Sequence, residues 1–155
     1  CIILGLARFF ALKKCNGMQH VVDMTLWENY RNVCFIAPFA PPPWPAYAIV
    51  TAWNPASRWV GMRRNARRQR ALSRQLADAL VMGPVWGSDP DECWQEASLL
   101  LHIPQGEAIR LAARFGQNAL YWVVEGELWL VPVLLKGEPC HLGRLTSRWM
   151  LRASA

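Results

Sequence analysis

The sequence predicts one α+β domain, a mixed and mostly antiparallel sheet packed by two main helices. Two observations carry this reading. Short apolar runs bounded by turn residues recur along the chain, about six in all, and read as strands. Two segments with apolar residues at helical spacing, 62–80 and 104–115, fall among them. A third observation bounds it: 155 residues, 53% hydrophobic and 18% charged, supply one core and little material for disorder or a second domain. No apolar run reaches the roughly 18–20 residues of a membrane-crossing helix, so no membrane partner is expected.

Each element has its own signal. Val33-Cys-Phe-Ile-Ala37 is a short strand. Five prolines between Pro38 and Pro45 then form a stiff loop that cannot join a central ladder. Tyr47–Ala52 is the next strand, ended by the turn signal Asn54-Pro55. Ser57 is a candidate cap for a long polar helix over 62–80, in which Leu72, Leu76 and Leu80 recur every fourth residue. Above them the same row is polar, with Asn65 and Gln69. Val81–Trp86 and Gln95–His102 read as strands, the latter carrying Glu96 and Ser98 on one face. Pro104–Phe115 is an amphipathic helix with Ile109, Ala112 and Ala113 inward and Gly116 as its stop. Residues 118–124 and 127–133 form a hairpin around Glu125-Gly126.

The organisation expected is a leader over 1–23 that is non-native or poorly ordered, the domain over 24–135, and a weakly patterned tail over 136–155. In the leader the positive charge of Lys13 and Lys14 follows the apolar run instead of preceding it, unlike a secretory signal. Five cysteines, at 1, 15, 34, 93 and 140, show neither C-x-x-C spacing nor an even count. This argues against a disulfide framework and a zinc site, and makes the cytoplasm the default expectation. Of nine tryptophans, Trp27, Trp53, Trp94, Trp122 and Trp129 are expected to build the core, with Trp44 and Trp59 the more exposed.

Four motifs occur in order: Thr51-Ala-Trp-Asn-Pro55, Asn65-x-x-Arg68, Asp89-Pro-x-x-x-Trp94-x-Glu96-x-Ser98, and Phe115-Gly-Gln-Asn-Ala119. Together, over Trp27–Trp129, they resemble the small bacterial proteins of domain-of-unknown-function family 3293. The resemblance implies a single cytosolic domain and no established activity. It departs at Gln69, where family members often carry a second Asn after the Arg.

Two constellations can carry chemistry. The first is basic. Seven arginines lie between Arg58 and Arg74 with no acid among them, against a net charge of +6 for the whole chain, so the remainder is slightly acidic. Arg63, Arg67, Arg70 and Arg74 fall on one helical stripe that suits an anion or a run of phosphates, with Trp53 and Trp59 near enough to stack on bases. The alternative is a solvated face paired with Asp78, Asp89, Asp91 and Glu92.

The second constellation is polar: Asn54, Asn65, Arg68, Glu96, Ser98, Gln117 and Asn118, each at the end of a predicted element. Residues from separate elements meeting at one sheet edge build pockets, and Arg68 with Glu96 would make a charge-assisted pair. The alternative is an internal network satisfying turn amides. Conventional catalysts are sparse: His102 and His141 have no partner at metal-ligand spacing, Cys93 has no base near it in sequence, and no phosphate loop, nucleophile elbow or dinucleotide fingerprint is present, so neither a cofactor nor a metal is expected. The leading expectation is a binding domain for a small polar or anionic ligand using the polar set. Nucleic-acid binding through the arginine helix and a hydrolase-like enzyme centred on Glu96 stand beside it.

Overall fold

A computed structural model describes residues 19–76 and 79–153. The chain runs α1 (Gln19–Arg31), β1 (Cys34–Ala37), β2 (Ala46–Val50), a 3-10 turn (Pro55–Ser57), α2 (Met62–Arg74), β3 (Leu80–Ser88), β4 (Gln95–His102), α3 (Gln105–Arg114), β5 (Ala119–Val124), β6 (Glu127–Pro132), β7 (Cys140–Arg144), a second 3-10 turn (Leu145–Arg148) and β8 (Trp149–Leu151). The eight strands form one sheet in the order β7-β6-β5-β2-β4-β3-β1-β8. Every pair is antiparallel except β1 with β8, so the expected mixed, mostly antiparallel sheet is present. None of the described helices is long and apolar enough to cross a membrane.

The central strands explain why both faces of the sheet are apolar. Along β2, Ala48 and Val50 face α2 and α3, packing with Leu72, Leu76, Ala108, Leu111, Ala112 and Phe115. The alternate residues Tyr47 and Ile49 enter a second cluster with Phe35, Leu100, Val123, Leu128 and Leu145. The run Leu99-Leu100-Leu101 serves both faces of β4, which is why it shows no alternation of polarity. Glu96 and Ser98 share parity with Leu100, so they lie on the face away from α2 and α3.

Several boundaries differ from the sequence reading. The helix expected over 62–80 ends at Arg74: Leu72 and Leu76 are buried, but Leu80 opens β3, pairs with His102 and is 59% exposed. Ladder pairing overrode the four-residue leucine row. In α3 the buried side chains are Ala108, Leu111 and Ala112. Ile109 is half-buried and Ala113 is exposed, so the inward stripe is rotated by about one position. The tail contributes β7 and β8, the two edge strands, which raises the count from six to eight. Its signal is weak because both strands are short, β7 contains Gly143 at φ +88°, and its register with β6 shifts between Leu128 and Trp129. The hairpin forms as expected: Glu125 (φ +48°) and Gly126 (φ +76°) make the two-residue turn whose twist suits antiparallel strands.

α1 crosses the boundary expected at Met24. The expectation about the leader falls mostly on residues 1–18, outside the described residues.

Candidate functional site

The site is built where β2 ends and its antiparallel neighbours β4 and β5 begin. After β2 the chain cannot continue straight, because Asn54, Ala56 and Ser57 all adopt positive φ (45°, 52° and 59°). Such conformations are costly for non-glycine residues and persist only where neighbours enforce them. The enforcement is visible. Thr51 Oγ1 donates to Ala97 O at 2.7 Å and accepts from Trp53 N at 3.0 Å. Ala56 N donates to Gly116 O at 2.7 Å. Asn65, on the first turns of α2, holds Asn54 twice: its Oδ1 accepts from Asn54 N at 2.9 Å and its Nδ2 donates to Asn54 Oδ1 at 2.8 Å. Asn54 then donates its own Nδ2 to Glu96 Oε1 at 2.7 Å.

Arg68 does not pair with Glu96, contrary to expectation. Its Nε donates to Ala52 O at 2.7 Å, its Nη2 donates to Phe115 O, and the guanidinium lies over the Phe115 ring. One planar fork thus ties the end of β2 to the end of α3, a geometry that suits Arg and not Lys. Gln69 Oε1 accepts from Ala52 N at 3.0 Å, so the departure from the family pattern at that position still serves the same loop. Gln117 Nε2 donates to Trp53 O at 2.9 Å and to Phe115 O at 3.3 Å. Asn118 Nδ2 donates to Ser57 Oγ at 3.0 Å, while its carbonyl accepts from Val133 and Leu134. Ser57 is therefore a junction in this network and not the cap of α2, which begins after Gly61. Asp89 Oδ1 accepts from Trp94 N at 2.8 Å and closes its own loop.

Gly116 is required where it stands. At φ +70° it turns the chain out of α3, and a Cβ there would sit 3.1 Å from Pro55 Cβ. Gly116→Ala is expected to destabilise the fold by about 1–3 kcal/mol in urea unfolding, combining an unfavourable φ with that contact.

The seven residues of the polar set therefore meet in one place. Asn54, Asn65, Glu96, Ser98, Gln117 and Asn118 are buried and Arg68 is half-buried. Two residues that the sequence reading did not single out complete the site. Tyr30, from α1, shares a 2.8 Å hydrogen bond with Ser57 Oγ. Tyr121, from β5, donates its hydroxyl to Tyr30 O at 2.7 Å. Tyr121 is the one hydroxyl-bearing side chain in a strand otherwise aliphatic apart from Trp122, a signal that was available.

Glu96 is the electrostatic centre. It is 7% exposed, and no cation among the described residues lies within ion-pair distance. Burial pushes its carboxyl up to about 8, against the lowering effect of the Asn54 hydrogen bond. Burial, followed by the Glu96 charge, pushes Tyr30 up to about 12; burial, then Tyr30 and Glu96, raises Tyr121 further, opposed by Arg148. Glu96 and Ser98 line a cavity of about 30 Å³ with Tyr30, Phe35, Trp94, Gln117 and Tyr121. That volume holds a water-sized group and little more.

The arginine face lies on the other side of α2. Asn65 and Leu72 mark the buried row. Arg63, Arg67, Arg70 and Arg74 occupy the opposite stripe, and with Arg58 and Arg64 they are exposed. Pairing with Asp89, Asp91 or Glu92 was an alternative, but among the described residues none of these six arginines forms an ion pair. Glu92 instead pairs with Arg152, and Asp78 lies outside the described residues. Trp59 is 42% exposed beside this face, whereas Trp53 is buried and stands edge-on to Trp86, so only the first can stack on a base. Trp44 is half-buried against Tyr47 and His102, and Trp27, Trp94, Trp122 and Trp129 are half-buried rather than central to the core. His141 pairs with Glu127 at 2.8 Å near the hairpin.

With this geometry in hand, residues 50–120 match the model of a family described as "Protein of unknown function (DUF3293)". The chain resembles the DUF3293 family. No curated protein and no solved structure matches it. The DUF3293 segment is narrower than the Trp27–Trp129 span expected from the motifs, yet it contains all four of them. It begins at the end of β2 and stops one residue before Tyr121, so it encloses the whole Asn54–Asn65–Arg68–Glu96–Gln117 network.

Proposed function

We propose that the chain binds a nucleic-acid backbone through the exposed arginine face of α2, independently of base sequence. The observation that carries this reading is the set Arg58, Arg63, Arg64, Arg67, Arg70 and Arg74, all exposed and none ion-paired among the described residues. Leaving five guanidinium groups on one short helix and a sixth, Arg58, just before it without carboxylate partners costs repulsion, which a polyanion relieves. From Arg63 to Arg74 the stripe extends about 16 Å along the helix, roughly the length of five nucleotide steps. Trp59 supplies a stacking surface at its start, which favours a single strand over a duplex.

A small anionic ligand held by the polar network has less support. Arg68 and the amides of Asn54, Asn65 and Gln117 are engaged with the protein itself, and the adjoining cavity is water-sized. A hydrolase centred on Glu96 lacks a second carboxylate in that lining.

Fluorescence anisotropy with a labelled single-stranded oligonucleotide tests the proposal. For about four phosphate contacts, raising salt from 50 to 200 mM is expected to weaken single-strand binding about 50-fold. Changing Arg63, Arg67 and Arg70 together to Glu should abolish binding without unfolding the protein, since all three are exposed. Trp59→Ala should weaken single-strand binding more than duplex binding. Affinity unmoved by salt, or retained by the triple variant, overturns the proposal.

A further inference from the structure

The cavity beside Glu96 presents a distinct chemistry. Glu96 Oε1 is occupied by Asn54 Nδ2. No donor among the described residues reaches its second carboxylate oxygen. Gln117 spends its Nε2 on the carbonyls of Trp53 and Phe115, which leaves its Oε1 as an acceptor with no donor among the described residues. Both side chains are more than nine-tenths buried and both line the cavity. The Ser98 hydroxyl, also in the lining, makes one long contact of 3.4 Å to Glu96 O and can turn toward a guest. The remaining walls mix the rings of Phe35, Trp94, Tyr30 and Tyr121 with small and aliphatic residues such as Val33 and Ile49. The titratable and charged groups facing Glu96 are Tyr30 from α1 and Tyr121 from β5, and the Arg148 charge acts on Tyr121 in the opposite sense. No Lys, Arg or His side chain lines the cavity.

With Glu96 ionised, the open acceptor oxygens of Glu96 and Gln117, the aromatic rings and a lining without a cation favour a guest that donates. An anion is repelled, since the one nearby guanidinium, Arg68, is committed to two carbonyls. A metal ion wants more oxygens than two or three. A volume of about 30 Å³ admits one non-hydrogen atom with its hydrogens and little beyond. We propose that the Glu96–Gln117 cavity binds ammonium or the tip of a small primary amine, with N–H groups directed to the Glu96 carboxylate and Gln117 Oε1 and the charge against the surrounding aromatic faces. The carboxyl is held largely protonated at neutral pH by burial, so cation entry expels its proton to solvent, and charge inside the cavity stays balanced.

The full chain is titrated at pH 7 with ammonium chloride, methylammonium chloride, tetramethylammonium chloride and sodium chloride at matched ionic strength, and Tm and proton release in weak buffer are followed. Ammonium at tenfold excess over its Kd should raise Tm by about 3–6 °C and release about one proton per site. Sodium and tetramethylammonium, which cannot donate, should do neither. Methylammonium separates the two sources: a response like that of ammonium indicates an amine terminus as guest, and silence indicates the free ion. Glu96→Gln keeps the acceptor for Asn54 Nδ2, so it should fold and lose both responses. Equal responses to ammonium and sodium, or an unchanged ammonium response in Glu96→Gln, overturn the proposal. So does a Tm rise without proton release, because the guest would then not have displaced the Glu96 proton.

Discussion

Replacing Asn65 with alanine is expected to destabilise the fold by about 3 kcal/mol, more than any surface change on the same helix. Asn65 is 0% exposed and makes two hydrogen bonds, both to Asn54. Its removal strands the Asn54 backbone amide and the Asn54 Oδ1 in a buried place, at about 1–3 kcal/mol for each unsatisfied group. The damage spreads, because Asn54 at φ +45° is the residue that carries the loop from β2 toward α2 and presents Nδ2 to Glu96. Asn65→Asp should be no better. It keeps the acceptor for Asn54 N, loses the donor to Asn54 Oδ1, and adds a buried charge near Glu96. Arg64→Ala, one residue away and exposed, should change stability by less than about 0.5 kcal/mol. Urea unfolding of the three variants measures this, and an Asn65→Ala effect as small as that of Arg64→Ala would show that the network does not hold the loop.

Stability is also expected to fall as pH rises from about 4.5 to about 8, and Glu96→Gln should remove most of that slope. The sign follows from the proton count. The unfolded-state carboxyl loses its proton near its ordinary 4.5, whereas burial holds the proton on the folded state up to about 8. Between those values the folded protein binds one proton more than the unfolded chain, so raising the pH favours unfolding. The contribution of Glu96 is fully present below 4.5 and is lost as pH passes through 8. The limiting slope is about 1.4 kcal/mol per pH unit for one such group. The exposed ion pairs Arg31–Glu28 and Arg152–Glu92 add little in either direction. Glutamine mimics the neutral acid and keeps an oxygen for Asn54 Nδ2, so the variant should match the parent near pH 4 and exceed it near pH 8. A parent whose unfolding free energy is level between pH 5 and 8 would contradict the neutral, buried state of Glu96.

The Asn65 prediction and the proposed nucleic-acid surface use different faces of one helix. The row Asn65, Arg68, Gln69 and Leu72 turns toward the sheet, its polar end serving the loop and its apolar end the core. The opposite stripe is free to meet a partner. Charge reversal at Arg63, Arg67 and Arg70 can therefore be made without touching the network, while changes at Asn65 or Arg68 report on the fold. That separation lets a binding defect be distinguished from an unfolding defect.

What was legible by itself in the sequence is what local periodicity and residue type encode. β4 runs over Gln95–His102 as read, because a strand buried on both faces is a continuous apolar run between turn residues. The hairpin was legible from Glu125-Gly126, and α3 from its Pro entry and Gly exit. The polar set of seven was legible because Asn, Gln, Arg and Glu at the ends of apolar elements are costly there unless they are partnered. Which partner each one takes was not. Asn54 meets Glu96 across 42 residues and Gln117 meets Trp53 across 64, so no local spacing records either contact. The Arg68–Glu96 pair read from opposite charges gave way to two backbone carbonyls, since terminal strand and helix oxygens demand donors as strongly as a carboxylate does. Tertiary structure also decided where α2 stops, and it recruited a weakly patterned tail for both sheet edges. It brought Tyr30 and Tyr121 over Glu96. In each case a long-range hydrogen bond or ladder outweighed a propensity worth only tenths of a kcal/mol per residue.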